Sequence, residues 1–198
     1  MKYIEQYFKE SKEIIDKIDK GQVERLIDLI GEIRDKKGRI FFLGVGGSAA
    51  NASHAVSDFR KICGIEAYTP SDNVAELSAR INDDGWDNVF IGWLEKSRLN
   101  KDDGIFIFSV GGGDLEKNIS SNLVKAIDYA KKVKAKVFGV VGRDGGYTAK
   151  MADACIVIPL INYSAVTPHT ESFQAIISHL IVSHPKMKAY EMKWESVK

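Results

Sequence analysis

The sequence is short of the residue types on which several classes of protein depend. It has only two cysteines, Cys63 and Cys155, in 198 residues, too few for a disulfide scaffold. Both lie in apolar stretches and are expected to be reduced thiols in the core of a cytoplasmic protein. No apolar run approaches the roughly 18 residues of a membrane span. Residues 1–15 are charged throughout, unlike a signal peptide, so neither membrane insertion nor secretion is expected.

The sequence also lacks an excess of charge of either sign. The chain has 28 Lys and Arg residues against 27 Asp and Glu residues, which gives a formal net charge of +1. Without a strong electrostatic field, neither nucleic acid nor an anionic membrane is expected as a partner. The sequence contains no internal repeat and no long linker. Residues 1–198 are therefore predicted to form one domain.

The spacing of apolar residues changes along the chain. Residues 3–37 have helical spacing, broken near Gly21, which predicts two leading helices. Beyond them, short apolar runs alternate with helical segments. The predicted strands are residues 39–43, 65–69, 104–110, 135–141 and 155–159. Such alternation predicts an α/β fold, with a parallel sheet covered by helices on both faces.

A glycine-rich turn, GVGGS, follows the first predicted strand and opens the next helix. Gly46 and Gly47 let the backbone approach a ligand closely, and the free N–H groups of a helix start attract anions. Ser48 adds a hydroxyl donor, so the turn suits a phosphate. With Ala49 it also matches G-x-G-x-x-A, a dinucleotide fingerprint, for which only Glu66 could supply the later acidic residue. The hydroxyl of Ser48 favours a phosphomonoester over a nucleotide cofactor.

A second glycine-rich turn, SVGGGD, follows the third predicted strand. Turns at the carboxyl ends of neighbouring strands in a doubly wound sheet face each other around the ligand. Ser109, Gly111 and Gly112 are therefore predicted to hold the phosphate from the side opposite Ser48. A carboxylate beside a phosphate is repulsive, so Asp114 is expected to point away or to cap the helix predicted over residues 116–132.

One helix places a histidine and a carboxylate on the same face. His54 and Asp58 are four residues apart in the helix predicted over residues 48–63. Val56 and Phe59 lie about half a turn round and are expected to face the core. The pair is therefore predicted to look into a cleft.

The last predicted helix begins at Thr167–Pro168 and ends before Pro185. Its expected buried stripe consists of Phe173, Ile176, Ile177, Leu180 and Ile181. Its opposite, polar half consists of Glu171, Gln174, Ser178 and His179. His169 and His184, near the two ends, are expected to be capping or surface residues.

The polar residues of these two helices suggest a divalent metal site. Glu171 and His179 are eight residues apart, about 12 Å along the axis at ~1.5 Å per residue. They can share one ion only if Glu171 reaches forward. Together with His54 and Asp58 they offer nitrogen and oxygen ligands, for which zinc is a candidate.

Three segments of the chain resemble the sugar isomerase (SIS) domain proteins: GVGGSAANASHAVSD, INDDGWD and VGRDGGYTAKMAD. Within that family the chain is most similar to phosphoheptose isomerases, which convert sedoheptulose 7-phosphate to a heptose 7-phosphate. The resemblance spans nearly the whole chain. It implies a doubly wound five-stranded parallel sheet and a homotetramer with active sites at subunit interfaces, often with zinc. Helices 1–37 would pack on the sheet domain or on a neighbouring subunit.

The resemblance also implies roles for individual residues. Ser48 and Ser109 would contact the phosphate, and Asn82 and Asp83 would lie near the sugar hydroxyls. The metal and acid/base positions of the family fall on His54, Asp58, Glu171 and His179.

The chain departs from the family at two of these positions and in one turn. The family usually has Glu in place of Asp58 and Gln in place of Glu171. Its second phosphate turn reads STSGNS where this chain has SVGGGD. Ser120 and Ser121, a few residues on, could replace the lost hydroxyls.

The sequence therefore predicts an aldose–ketose isomerase of a sugar phosphate that works through a cis-enediol. Either Asp58 or Glu171 is the base, and His179 relays protons. Two alternatives remain open at this point. One is a non-catalytic SIS module that binds a sugar phosphate or a protein partner, and the other is a nicotinamide-dependent enzyme.

Overall fold

The computed structural model describes residues 1–197, and its strands form one parallel sheet of five strands. The strands are β1 (Arg39–Leu43), β2 (Glu66–Tyr68), β3 (Gly104–Ser109), β4 (Lys136–Val141) and β5 (Ala154–Val157). Their order across the sheet is β2-β1-β3-β4-β5. The winding reverses between β1 and β3, and in this type of sheet the ligand crevice lies beyond the carboxyl ends of the strands at that reversal.

Helices connect the strands and precede the sheet. They are α1 (Lys2–Lys17), α2 (Lys20–Asp35), α3 (Gly47–Lys61), α4 (Val74–Asp84), α5 (Val89–Lys96), α6 (Ser121–Lys132), α7 (Gly146–Met151), α8 (Val166–Ser183) and α9 (Lys193–Ser196). Short 3₁₀ turns occupy Pro70–Asp72, Trp86–Asn88 and Tyr163–Ala165. The break between the leading helices falls before Gly21, because Asp19 caps α2 by accepting a hydrogen bond from the Gln22 N–H.

Two hydrophobic cores lie on the two faces of the sheet, because successive strand residues point to opposite sides. Phe42 packs with residues of α2, α3 and α8. Its neighbours Phe41 and Leu43 pack instead with residues of α5 and α6. The predicted α/β fold, with helices on both faces of a doubly wound sheet, is confirmed.

The predicted buried stripe of α8 is partly wrong. Ile176 and Leu180 are exposed, whereas Gln174 and Ser178 are buried. The buried face of α8 is rotated from the predicted one because the Gln174 amide finds hydrogen-bond partners in the core. Its oxygen accepts from Asn51 Nδ2 at 3.0 Å, and its nitrogen donates to the Val140 carbonyl at 3.5 Å. A buried amide is tolerated when it is bonded in this way.

The expectation that His169 is a capping or surface residue is also wrong. His169 is buried, and its Nε2 lies 2.8 Å from Glu10 Oε2 of α1. Its ring stacks on Tyr7 at a centroid separation of 4.3 Å. The hydrogen bond from His169 is the largest cause that holds the pKa of Glu10 below its usual value. This pair links α1 to α8 across 159 positions of sequence, which local pattern cannot reveal.

Cys63 and Cys155 are free. Burial raises the pKa of both thiols to about 12, so neither is a reactive thiolate near neutral pH. None of the helices in residues 1–197 has the length and apolar content needed to cross a membrane.

Candidate functional site

The first glycine-rich turn places the start of α3 at the carboxyl end of β1. Gly46 precedes the helix with φ of 63°, in the left-handed region that favours glycine. A Cβ on Gly44 would lie 2.5 Å from the Ser48 carbonyl oxygen, so the turn is tight. Ser48 is buried at the first turn of the helix. The predicted phosphate turn therefore lies at the reversal point of the sheet.

Glu171 occupies this turn in the structure. A Cβ built on Gly47 would lie 2.6 Å from Glu171 Cδ and 2.7 Å from its Oε1. The backbone carbonyl of Glu171 accepts a hydrogen bond from Asn51 of α3 at 2.9 Å. A carboxylate of the chain itself thus lies at the helix start, whose partial positive charge favours an anion. The structure does not bring Glu171 forward to His179, as a shared metal site would require.

His54, Asp58 and His179 do come together, and they are called here the His–Asp–His cluster. Asp58 Oδ2 lies 3.3 Å from His54 Nε2 and 3.5 Å from His179 Nε2. The two imidazole rings meet edge to face at 5.0 Å. The cluster forms because α3 and α8 pack side by side, with the opposite face of α3, including Phe59, buried as predicted.

The cluster suits a divalent metal. One ligand atom from each of its three side chains lies within 4.8 Å of the other two. Two imidazole nitrogens and one carboxylate oxygen form a donor set that zinc accepts, and three protein ligands leave a coordination position open. Glu171 is not in this group, so the set contains three of the four predicted ligands.

The cluster opens into a cavity of about 920 Å³. Its walls are the facing sides of α3 and α8 and residues Glu191–Ser196 near the C-terminus. The side chain of Asp58 is only 18% exposed, whereas those of His54 and His179 are 57% and 55% exposed. The carboxylate is therefore shielded at the base of the cluster, with the rings toward solvent.

The second glycine-rich turn is folded onto itself and onto the first turn of α7. Ser109 Oγ accepts a hydrogen bond from the Gly112 N–H at 3.0 Å. The Gly112 carbonyl accepts from the N–H and the hydroxyl of Thr148, at 2.9 and 2.7 Å. Gly111, by contrast, is open, since a Cβ built there would meet nothing within 4 Å. Of the predicted phosphate contacts in this turn, Gly111 is the most accessible and Gly112 is buried.

Asp114 points into its own turn, as expected of a carboxylate near a phosphate site. It accepts hydrogen bonds from the N–H groups of Glu116 and Lys117, both at 3.0 Å. The backbone hydrogen bond from Lys117 is the largest cause that lowers the pKa of Asp114. These bonds hold residues 114–120 in a loop, so α6 begins at Ser121 rather than at residue 116. Ser120 is the residue that precedes the helix.

A cavity with cationic groups adjoins Gly111 and was missed in the sequence. Its volume is about 400 Å³, and Lys117, Arg143 and Lys150 contribute to its walls. Asp114, Glu116 and Asp144 line it too, so its charges are mixed. The signal that could have found it is the VGRDGG stretch directly after β4, at the same edge of the sheet as the two glycine-rich turns.

Asn82 and Asp83 lie apart from these features. Both are exposed near the end of α4, where Asn82 Nδ2 donates to Asp83 Oδ1 at 2.8 Å. Neither lines the cavity beside the His–Asp–His cluster. Within one chain, the structure does not bring them to the other predicted site residues.

Comparison with known proteins agrees with the geometry. Residues 6–142 match the SIS domain model. A phosphoheptose isomerase of Sulfurimonas denitrificans is 34% identical over 194 residues, covering 91% of this chain and 92% of that protein. One from Helicobacter pylori is 28% identical over 188 residues, covering 90% and 91%.

The fold agrees as well. The structure of a phosphoheptose isomerase from Neisseria gonorrhoeae superposes with a TM-score of 0.78 at 23% identity, covering 91% of this chain and 95% of that one. The resemblance found in the sequence is thereby confirmed. The chain belongs to the SIS domain family and, within it, to the phosphoheptose isomerases.

Proposed function

We propose that this chain is an aldose–ketose isomerase that converts sedoheptulose 7-phosphate to a heptose 7-phosphate. The observation that carries the proposal is the His–Asp–His cluster, in which a shielded carboxylate lies within 3.5 Å of two imidazoles at the edge of a large cavity. Isomerisation needs a base for a carbon-bound proton and a group that moves protons between two oxygens. The choice of a heptose phosphate as substrate is supported by the relatives, which are named phosphoheptose isomerases.

Asp58 is the base in this proposal, and the alternative, Glu171, is not. Asp58 faces the cavity with a proton-carrying ring on either side, whereas Glu171 is turned toward Gly47. Asp58 takes the proton from the carbon next to the ketose carbonyl, and a cis-enediol results. It then returns the proton to the neighbouring carbon. His179 moves a proton between the two oxygens of the enediol.

The same cluster would hold a divalent metal, and its donor set favours zinc. When bound, the metal would polarise the carbonyl and hydroxyl oxygens of the sugar. The proton transfers remain the work of Asp58 and His179. Asp58 can serve both needs because a carboxylate has two oxygens, of which Oδ2 faces the imidazoles.

In this proposal the phosphate binds between the two glycine-rich turns. One side of it contacts Gly46, Gly47 and Ser48, and the other side contacts Ser109 and Gly111. Supporting this, both turns lie at carboxyl ends of strands on either side of the reversal between β1 and β3. Glu171 must leave the start of α3 when the phosphate arrives, because two anions cannot share that position.

A homotetramer with active sites between subunits completes the proposal. The surface of α1 exposes Tyr3, Ile4, Phe8 and Ile15. An apolar groove of about 420 Å³ continues from Ile15 to Ile176 and Leu180 of α8. Exposed apolar surface of this extent is typical of interfaces. In such an assembly Asn82 and Asp83 would serve a neighbouring subunit's site, and a cytoplasmic location fits a metabolic substrate.

The experiment is an isomerisation assay with a panel of ketose phosphates, with bound metal and oligomeric state measured on the same sample. The proposal expects turnover, highest with sedoheptulose 7-phosphate, from a protein that light scattering shows to be a tetramer. Binding of sugar phosphates without turnover would instead support the non-catalytic SIS module. A monomer with full activity would contradict sites shared between subunits.

A further inference from the structure

The cavity beside the His–Asp–His cluster has one wall that the proposed mechanism does not use. It is formed by the C-terminal segment, defined here as residues 188–197, which follows α8 and includes the short helix α9. Glu191 to Ser196 line the same cavity as the three cluster residues. None of the sequence motifs described above lies in this segment.

The C-terminal segment is fixed to the helix that carries His54 and Asp58. The carbonyl of Ile62, which directly follows α3, accepts hydrogen bonds from the N–H groups of both Ala189 and Tyr190, at 2.8 and 3.0 Å. Just before the segment, Met187 is fully buried. Within it, Met192 packs against the core. These contacts hold the start of the segment, up to Met192, in place beside the cavity.

Trp194 is the notable side chain of this segment. It is 81% exposed, although it lines the cavity. Burial of an aromatic side chain of this size is favourable, so a ligand that covers the exposed indole gains binding free energy. The indole offers a flat apolar face and one N–H donor, a combination suited to the C–H groups and hydroxyls of a sugar chain.

We propose that Trp194 contacts the sugar chain of the substrate and that the C-terminal segment closes the cavity over the His–Asp–His cluster. This inference rests on the proposed function, since it takes the reacting end of the sugar to lie in the cavity beside the His–Asp–His cluster. Binding of the sugar buries the indole and removes water from the carboxylate that carries out the proton transfer. Exclusion of water protects an enediol from side reactions.

The kinetic test uses Trp194→Ala, with Trp194→Phe to retain a ring and Tyr163→Ala as a matched control. Tyr163 is a similarly exposed aromatic, at 79%, and does not line this cavity. KM for the sugar phosphate should rise roughly three- to tenfold in Trp194→Ala, less in Trp194→Phe and not at all in Tyr163→Ala. Melting temperatures should match the wild type, because the indole is exposed. Wild-type KM and kcat in Trp194→Ala would overturn the inference.

A binding test separates this inference from the proposed function. Sedoheptulose 7-phosphate is titrated into the wild type, Trp194→Phe and Trp86→Phe, and tryptophan emission is followed. The emission change should appear in the wild type and in Trp86→Phe and vanish in Trp194→Phe. An equal change in Trp194→Phe, or none in the wild type, overturns the inference. A Trp194-dependent change in a protein without turnover would refute the isomerase and leave the contact standing.

Discussion

Replacing Asp58 by Asn tests the assignment of the base. The substitution keeps the shape of the side chain and removes its charge. In the structure, Asp58 Oδ2 lies 3.3 and 3.5 Å from the rings of His54 and His179, and the side chain is only 18% exposed. In the part of the chain that the structure describes, no other carboxylate lies within 4.8 Å of both imidazoles. Loss of a positioned base typically costs about 10²- to 10⁴-fold in rate, so kcat should fall by at least about 100-fold.

The assay measures kcat and KM on the sugar phosphate, with bound metal determined for each variant. KM should change little in Asp58→Asn, because the phosphate contacts are elsewhere. Asp35→Asn, an exposed carboxylate at the end of α2, is the control and should behave as wild type. Full activity in Asp58→Asn with a normal metal content would refute the reasoning.

Three further outcomes are expected. Glu171→Gln should keep its turnover and bind the sugar phosphate more tightly. Repulsion between a carboxylate and a nearby phosphate costs about 1 kcal/mol even in water, which corresponds to about fivefold in affinity. Loss of turnover in Glu171→Gln in steady-state assays would instead make Glu171 the base. Ser48→Ala should weaken sugar-phosphate binding by roughly 1–3 kcal/mol in calorimetry if a charge-assisted hydrogen bond is lost, and unchanged affinity would remove Ser48 from the site. The depressed pKa of Glu10 means that its contribution to stability is present above its unfolded value near 4.5 and is lost as pH falls through the lower folded value. Glu10→Gln should therefore melt earlier at neutral pH and lose less on acidification, which melting curves across that range would show; identical curves would contradict it.

The fold could be predicted from sequence because its signals are local. Short apolar strands such as β1 and β3 are buried on both faces. Their alternation with helices is compatible with only a few layer architectures, of which a parallel sheet covered by helices is the main one. The His54–Asp58 pair could be predicted because a spacing of four places side chains on one face of a helix. The GVGGSA stretch fits two motifs, of which the Ser48 hydroxyl favours the phosphate turn, and the family match agrees with that choice.

What could not be predicted depends on contacts between distant segments. Gln174 is buried only because Asn51 and Val140 satisfy its amide, and Ile176 is exposed as a consequence. Glu171 turns to the start of α3, which lies more than 120 positions earlier in the chain. The C-terminal segment is held beside the cavity by hydrogen bonds to the Ile62 carbonyl. None of these contacts has a periodic signal in the sequence.

The most direct test of the central claim is proton exchange at the substrate carbon. Sedoheptulose 7-phosphate is incubated in D₂O with the metal-loaded wild type and with Asp58→Asn, and the sugar is followed by proton NMR. The account predicts deuterium at the carbon next to the carbonyl, together with new aldose signals, with the wild type alone. Absence of both exchange and aldose with the wild type, or equal exchange with Asp58→Asn, would contradict it.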